Sequence, residues 1–253
     1  MTSDPFSSAR YSVKHAKRHI EDVERQIRGF HASNPYRHVV EPNVAMRFKS
    51  HKIKLVNDLP ESLAGTVFDA ANCLRSSLDQ IGFAVAVAVG KDGRHAHFPF
   101  GDEDRSSAVS RLTTRCSDLP FEVQETMLSF KPYKRGNRLL WAINELANTN
   151  KHETIVQPTP TPGFAIIRGK RYEGIEPAGF LQWDRAKNEM EIWRTPVDSA
   201  DIVQFHGAFD LAFADVEGIP GRPVLDTLAR MLRIADDCVE RVASVALKFG
   251  FVA

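Results

Sequence analysis

Arg75 and Asp79 stand four residues apart, the spacing at which a guanidinium and a carboxylate meet on one face of a helix. With a hundred-degree advance per residue, Asn72 falls beside them, on a flank shared with Phe68, Gly82, Phe83 and Ala86; Asp69, Ser76, Ser77 and Gln80 take the side expected to meet water. Polar groups among aromatics are costly to bury unless their hydrogen bonds are met, so partners on another element are expected. Asn148-Thr149-Asn150-Lys151-His152 is the natural source. If the helix leading into it persists, Asn150 projects from the apolar side with Ile143 and Leu146, while His152 lies opposite with Trp141, Glu145 and Asn148. The expectation is that Asn150 and Asn72 complete a polar network around Arg75 across a helix-helix interface, with Lys151 and His152 at its rim. The preferred reading is that the network locks two helices together and does no chemistry.

A second collection of charge lies nearer the start of the chain. Lys14, Lys17, Arg18, Arg25, Arg28, Arg37, Arg47, Lys49, Lys52 and Lys54 face few acids there, although the formal charge of the 253-residue chain is only +1. Arg47, Lys49, Lys52 and Lys54 would give a hairpin one basic face, a candidate nucleic-acid contact, with a solvated surface as the plainer explanation. His95 and His97 could share a strand face pointing at a metal, but no Asp, Glu or Cys accompanies them at ligand spacing. Phosphate-cradling glycine loops, GxSxG and HExxH are absent from the sequence, so neither metal nor cofactor is expected. Trp141, Trp183 and Trp193 are expected in the core.

The elements that must position these residues follow from periodicity. Val13, Ala16, Ile20, Val23 and Ile27 make an amphipathic helix from Ala9 to Phe30, ended by Asn34-Pro35. Val44, Met46 and Phe48, then Ile53 and Leu55, alternate as a hairpin about Ser50-His51. A long helix opens at Asp58-Leu59-Pro60-Glu61 and carries Leu63, Val67, Ala71, Leu74, Leu78, Ile81 and Val85 as one stripe. Shorter helices are expected at Glu103 to Leu112, at Pro120 to Phe130 and from Asn137 onward. Beyond Pro158, Pro160 and Pro162, read as a connector between layers, strands are expected at Phe164 to Ile167, Gly179 to Trp183, Glu189 to Thr195 and Phe209 to Phe213, with a hairpin turn at Asp184 to Asn188. A helix after Pro223 closes the chain, with Gly250 beyond its end.

Composition excludes several classes. With 43% apolar and 26% charged residues the chain is neither disordered nor a disulfide scaffold, and Cys73, Cys116 and Cys238 lie far apart without a CxxC pair. Met1 to Arg10 has no apolar core for a signal peptide, and the longest apolar run, Ile81 to Val89, is too short for a bilayer. A cytoplasmic protein without membrane contact is expected.

At the same polar residues the sequence resembles a family of uncharacterised bacterial and phage proteins. That family carries a helix reading DALHNLRSALDHL, an FPI-type segment, a QPY-type segment and a helix ending in NxDKHR. The matching stretches run from Asp69 to Gln80 (DAANCLRSSLDQ), at Phe98-Pro99-Phe100, at Lys131-Pro132-Tyr133 and from Asn148 to Glu153, in the same order and spacing over about a third of the chain. In such relatives the arginine-to-histidine spacing is similar to the motif of HEPN-type helical ribonucleases, in which the two side chains handle a scissile phosphate and its proton. The resemblance therefore implies a metal-independent ribonuclease of phage or defence biology built on Arg75, Asp79, Lys151 and His152. The departures weigh against it: Asn72 and Gln80 stand where the family has histidines, Asn150 where it has aspartate and Glu153 where it has arginine. An amide cannot act as the base that a carboxylate can.

The sequence thus specifies an α+β fold, long amphipathic helices packed with an antiparallel sheet, as one domain over 1–253: a helical core at about 60–152, a β-rich segment at about 154–218 and a C-terminal helix at about 222–249. The expected function is a non-catalytic binding or scaffold module contacting nucleic acid or protein, with a homodimer left open. The alternatives are the ribonuclease and a small-molecule enzyme with its pocket between helices and sheet.

Overall fold

A computed structural model of the protein describes residues 4–148, 156–161, 164–169, 174–177, 181–199, 202–206 and 208–252. The first helix, α1 (Ser7–Ala32), buries Ala9, Val13, Ala16, Ile20, Val23, Ile27 and Phe30, the stripe its three- and four-residue steps prescribe. Strands β1 (Tyr36–Asn43) and β2 (Phe48–Leu55) form an antiparallel hairpin. Its turn is Val44 to Arg47, not Ser50-His51: the Asn43 side chain accepts the Met46 amide at 3.0 Å and Arg47 has φ +57°. Val44 and Met46, which mimic strand alternation, project from the tip at 73% and 69% exposure.

The second long helix, α2 (Leu63–Ala88), begins later than its Asp58-Pro60 signal, because the Leu63 amide closes a turn on the Pro60 carbonyl ahead of it. All seven residues of its apolar stripe are buried. Next come α3 (Arg105–Arg115), opened by an Asp104–Ser107 capping box, α4 (Phe121–Ser129) and α5 (Arg138–Asn148). The proline-rich stretch is itself a strand, β3 (Val156–Pro160), rather than a connector. It tolerates Pro158 and Pro160 because residues two apart turn the same way, and a two-stranded ladder leaves β3 one edge where a missing N–H costs nothing. After β4 (Ala165–Gly169), β5 (Gly174–Pro177), β6 (Glu189–Pro196), β7 (Ile202–His206) and β8 (Phe209–Phe213), the chain ends on α6 (Val224–Lys248), with Pro223 at its N-cap position and Gly250 at φ +71° beyond it.

The described strands pair antiparallel in three sheets, ordered β1-β2-β6, β3-β8 and β5-β4-β7, so the architecture is α+β. Two apolar clusters result. The larger gathers α1, α2, α4, α5 and α6 with Val156 of β3 and Leu211 and Phe213 of β8. The smaller, Ile53, Phe164, Ile166, Met190, Ile192, Val203 and Phe209, lies among the strands. Tyr36 packs against both, its ring 6.0 Å from Phe30 and 4.7 Å from Phe209. No helix among the described residues is long and apolar enough to cross a membrane.

Candidate functional site

Arg75 and Asp79 occupy the middle of α2, on the flank that meets α5 and the segment 96–100. Gly82 makes this approach possible: a Cβ there would lie 2.1 Å from the Ala96 carbonyl oxygen, so only glycine lets the segment rest against the helix. The segment then delivers the Phe98 amide to Asp79 Oδ1 at 2.9 Å. Asp79 Oδ2 pairs with the Arg75 guanidinium, whose Nε donates to Asn144 Oδ1 on α5 at 3.0 Å. The guanidinium also lies 4.6 Å from the centroid of the Phe100 ring, a cation–π contact. Asn144 Nδ2 in turn donates to Glu145 Oε1 at 3.3 Å, and burial pushes the Glu145 carboxyl above the ordinary glutamate range.

The expected convergence of α2 with α5 is present among the described residues, and Asn144 carries it. Asn150, Lys151 and His152 lie outside the described residues. Asn72 is half-buried beside the cluster and joins none of these bonds. Asn144 was detectable: four residues after Leu140 and three before Ala147, it is a polar residue inside the apolar stripe of α5. Trp141 is buried, as expected of a core tryptophan, although helical projection set it opposite the apolar side of α5, and Gly218 packs against its ring.

His97 comes nearest to a catalytic partner, its Nδ1 3.7 Å from Asp79 Oδ1, beyond direct hydrogen bonding. Its backbone is fixed on both sides, the amide donating to the Arg115 carbonyl at 2.9 Å and the carbonyl accepting from the Cys116 thiol at 3.0 Å. His95 and His97 lie in a loop, not a strand, and among the described residues no three His, Cys, Asp or Glu are grouped to hold a metal ion. Gln80, at the position where the resembled family has histidine, accepts bonds from Ser8 at 3.0 Å and Ser12 at 2.9 Å and so clasps α1 to α2. Both oxygens of Asp79 are thus engaged, Arg75 faces inward, and the cluster is built to hold three chain segments together.

The hairpin face is not the free basic surface its lysines suggest. Lys52 Nζ lies 2.5 Å from Glu41 and 2.7 Å from Glu189, and Lys54 pairs with the same two carboxylates. Hydrogen bonds from the two lysines hold the Glu41 carboxyl down to about 2, and Glu189 is buried between them. Lys49 donates to the Ser199 carbonyl at 2.7 Å, leaving Arg47 exposed and 4.0 Å from Asp198. Two lysines and two glutamates cancel, because β1 and β6 flank β2 and bring the acids across the strand.

No family model, characterised protein or solved structure matches this chain.

Uncompensated positive charge gathers elsewhere. A cleft of about 630 Å³ opens between the start of α5 and the first half of α6, lined by Lys131, Arg138, Arg222, Arg230 and Arg233 together with Phe130, Leu139 and Ile234. Among the described residues the one carboxylate paired with these five cations is Asp226, 3.8 Å from Arg230 at the rim. The loop that carries Lys131 turns sharply, with φ +55° at Lys131 and both the Tyr133 and Asn137 amides on its carbonyl at 2.8 Å. Gly136 is required inside that turn, since a Cβ would come within 2.6 Å of the Lys131 carbonyl oxygen. Arg230 and Arg233, one turn apart on α6 beside Arg222, were visible as a basic group in the sequence. Their meeting with Lys131 and Arg138 depends on the packing of α6 on α4 and α5.

Proposed function

We propose that the chain is a non-catalytic binding module for nucleic acid: a helical body locked by the Arg75 cluster, with the arginine cleft as its phosphate contact. The observation that carries this reading is the contrast between the two polar sites. Around Arg75 the charged groups are bonded to one another and to the backbone, as a packing device requires. In the cleft five cations line one open concavity and, among the described residues, only Asp226 pairs with any of them, which favours an anionic partner. Arginine suits that task because its planar fork meets phosphate oxygens two at a time.

Fluorescence anisotropy with a short single-stranded RNA tests the proposal. About four phosphate contacts should give a log–log salt slope of roughly −3, and the double variant Arg138→Gln/Arg233→Gln should weaken binding at least tenfold while its melting temperature is unchanged. The RNA should stay intact in metal-free buffer. Cleavage by the parent protein that disappears in folded Arg75→Ala and His97→Ala variants would overturn the non-catalytic reading and favour the ribonuclease. Salt-independent binding, or none, would remove nucleic acid as the partner.

A further inference from the structure

We infer that the arginine cleft is a pocket for a terminal phosphate, a phosphate monoester at the end of a strand, rather than a track along which phosphodiesters pass. The inference rests on the nucleic-acid reading and narrows it to one chemical group.

Three features of the cleft point to an end group. The first is shape: about 630 Å³ lies within the range of small-ligand sites and holds one nucleotide-sized moiety, whereas a strand bound along its length needs an extended groove. The second is charge. An internal phosphodiester carries one negative charge and two free oxygens, while a monoester carries about −1.5 to −2 and three strong acceptor oxygens. Four guanidiniums and an ammonium around one concavity exceed what a single diester can engage, and they suit the monoester. The third is convergence, since the cations come from separate stretches of chain. Lys131 projects from the turn before α5, Arg138 opens that helix, Arg222 immediately precedes α6, and Arg230 and Arg233 lie on its second and third turns. Cations brought in from several directions surround a group; cations strung along one element follow a backbone. The positive end of the α5 dipole adds to the same field. Phe130, Leu139 and Ile234 give the lining its apolar part, and the Arg241 guanidinium lies 5.1 Å from the centroid of the Phe130 ring. That surface would receive the sugar or base attached to the bound phosphate.

The test compares RNA oligonucleotides of one sequence bearing a 5′-phosphate, a 3′-phosphate or hydroxyls at both ends, by anisotropy at fixed salt, alongside calorimetric titration with adenosine monophosphate. The expected result is at least tenfold tighter binding of one phosphorylated end than of the all-hydroxyl strand, with the advantage lost in folded Arg138→Gln/Arg233→Gln. Equal affinity for all three strands would overturn the inference and leave the nucleic-acid reading in place. Binding of adenosine monophosphate through the same arginines without binding of any strand would keep the phosphate pocket, identify its ligand as a free nucleotide and reject the nucleic-acid reading. Absence of binding in every arm would reject both.

Discussion

Gly82→Ala should destabilise the protein by about 3 kcal/mol, the upper end of overpacking costs, whereas Gly65→Ala in the same helix should stabilise it by about 0.5 kcal/mol. A methyl group at 82 would sit 2.1 Å from the Ala96 carbonyl oxygen and 3.2 Å from its carbon. Backbone cannot rotate away as a side chain can, so either α2 or the segment 96–100 must move. Movement there pulls the Phe98 amide from Asp79 and the Phe100 ring from Arg75. At 65 nothing lies within 4 Å, and the added Cβ only restricts the unfolded chain. Thermal melts of the two variants should therefore diverge, Gly82→Ala by roughly 6–12 °C downward for a chain of this size. Melting temperatures that rise for both would mean that the segment 96–100 does not rest on α2.

Acid should weaken the fold through a histidine pair in the β1-β2-β6 sheet. His51 is buried, its Nδ1 3.3 Å from His38 Nε2 and its Nε2 3.1 Å from the Thr195 hydroxyl. Burial lowers the proton affinity of both rings, and at His51 the charges of His38 and Lys49 lower it further. Both folded-state values therefore lie below the ordinary 6.5. Below pH 6.5 the unfolded chain takes up protons that the folded protein refuses, so stability is full above that value and falls as pH drops toward the folded-state values. The slope can reach about 1.4 kcal/mol per pH unit for each imidazole. Glu41, held down to about 2, is silent in this window. Denaturant titrations at pH 7.5, 6.5 and 5.5 should show the decline, and His38→Gln/His51→Gln should flatten it. A double variant with the parent's slope would assign the acid sensitivity to other groups.

How much of this could be read beforehand depends on the range of the forces involved. The stripe from Leu63 to Val85 was legible because helical burial repeats within a few residues, and Arg75 and Asp79 stood out because they broke the pattern beside it. Asn144 carries the same local mark three helices later, a polar residue inside the apolar stripe of α5. The alternation of Val44, Met46 and Phe48 misled because a turn at a hairpin tip can alternate in apolarity without being half-buried. The Asn43 side chain and the left-handed Arg47 decide that region instead. Neutralisation of Lys52 and Lys54 was beyond reach, since it needs the register that sets Glu189 of β6 opposite Lys54. Pro158 and Pro160 suggested a linker because a proline's missing donor is usually harmful in a sheet, and only the pairing of β3 with β8 alone removes that objection.

Tyr36 packs against both apolar clusters, and β8 joins them as well, giving Phe209 to the smaller and Leu211 and Phe213 to the larger. Two cores joined through one ring and one short strand need not open together. Amide hydrogens of β2 and β6 should exchange with solvent in fluctuations that leave α2 and α6 closed, and Tyr36→Ala should accelerate the strand amides far more than the helical ones. Heating would then melt the protein in two stages, with the helical half persisting after the strand-borne half has let go.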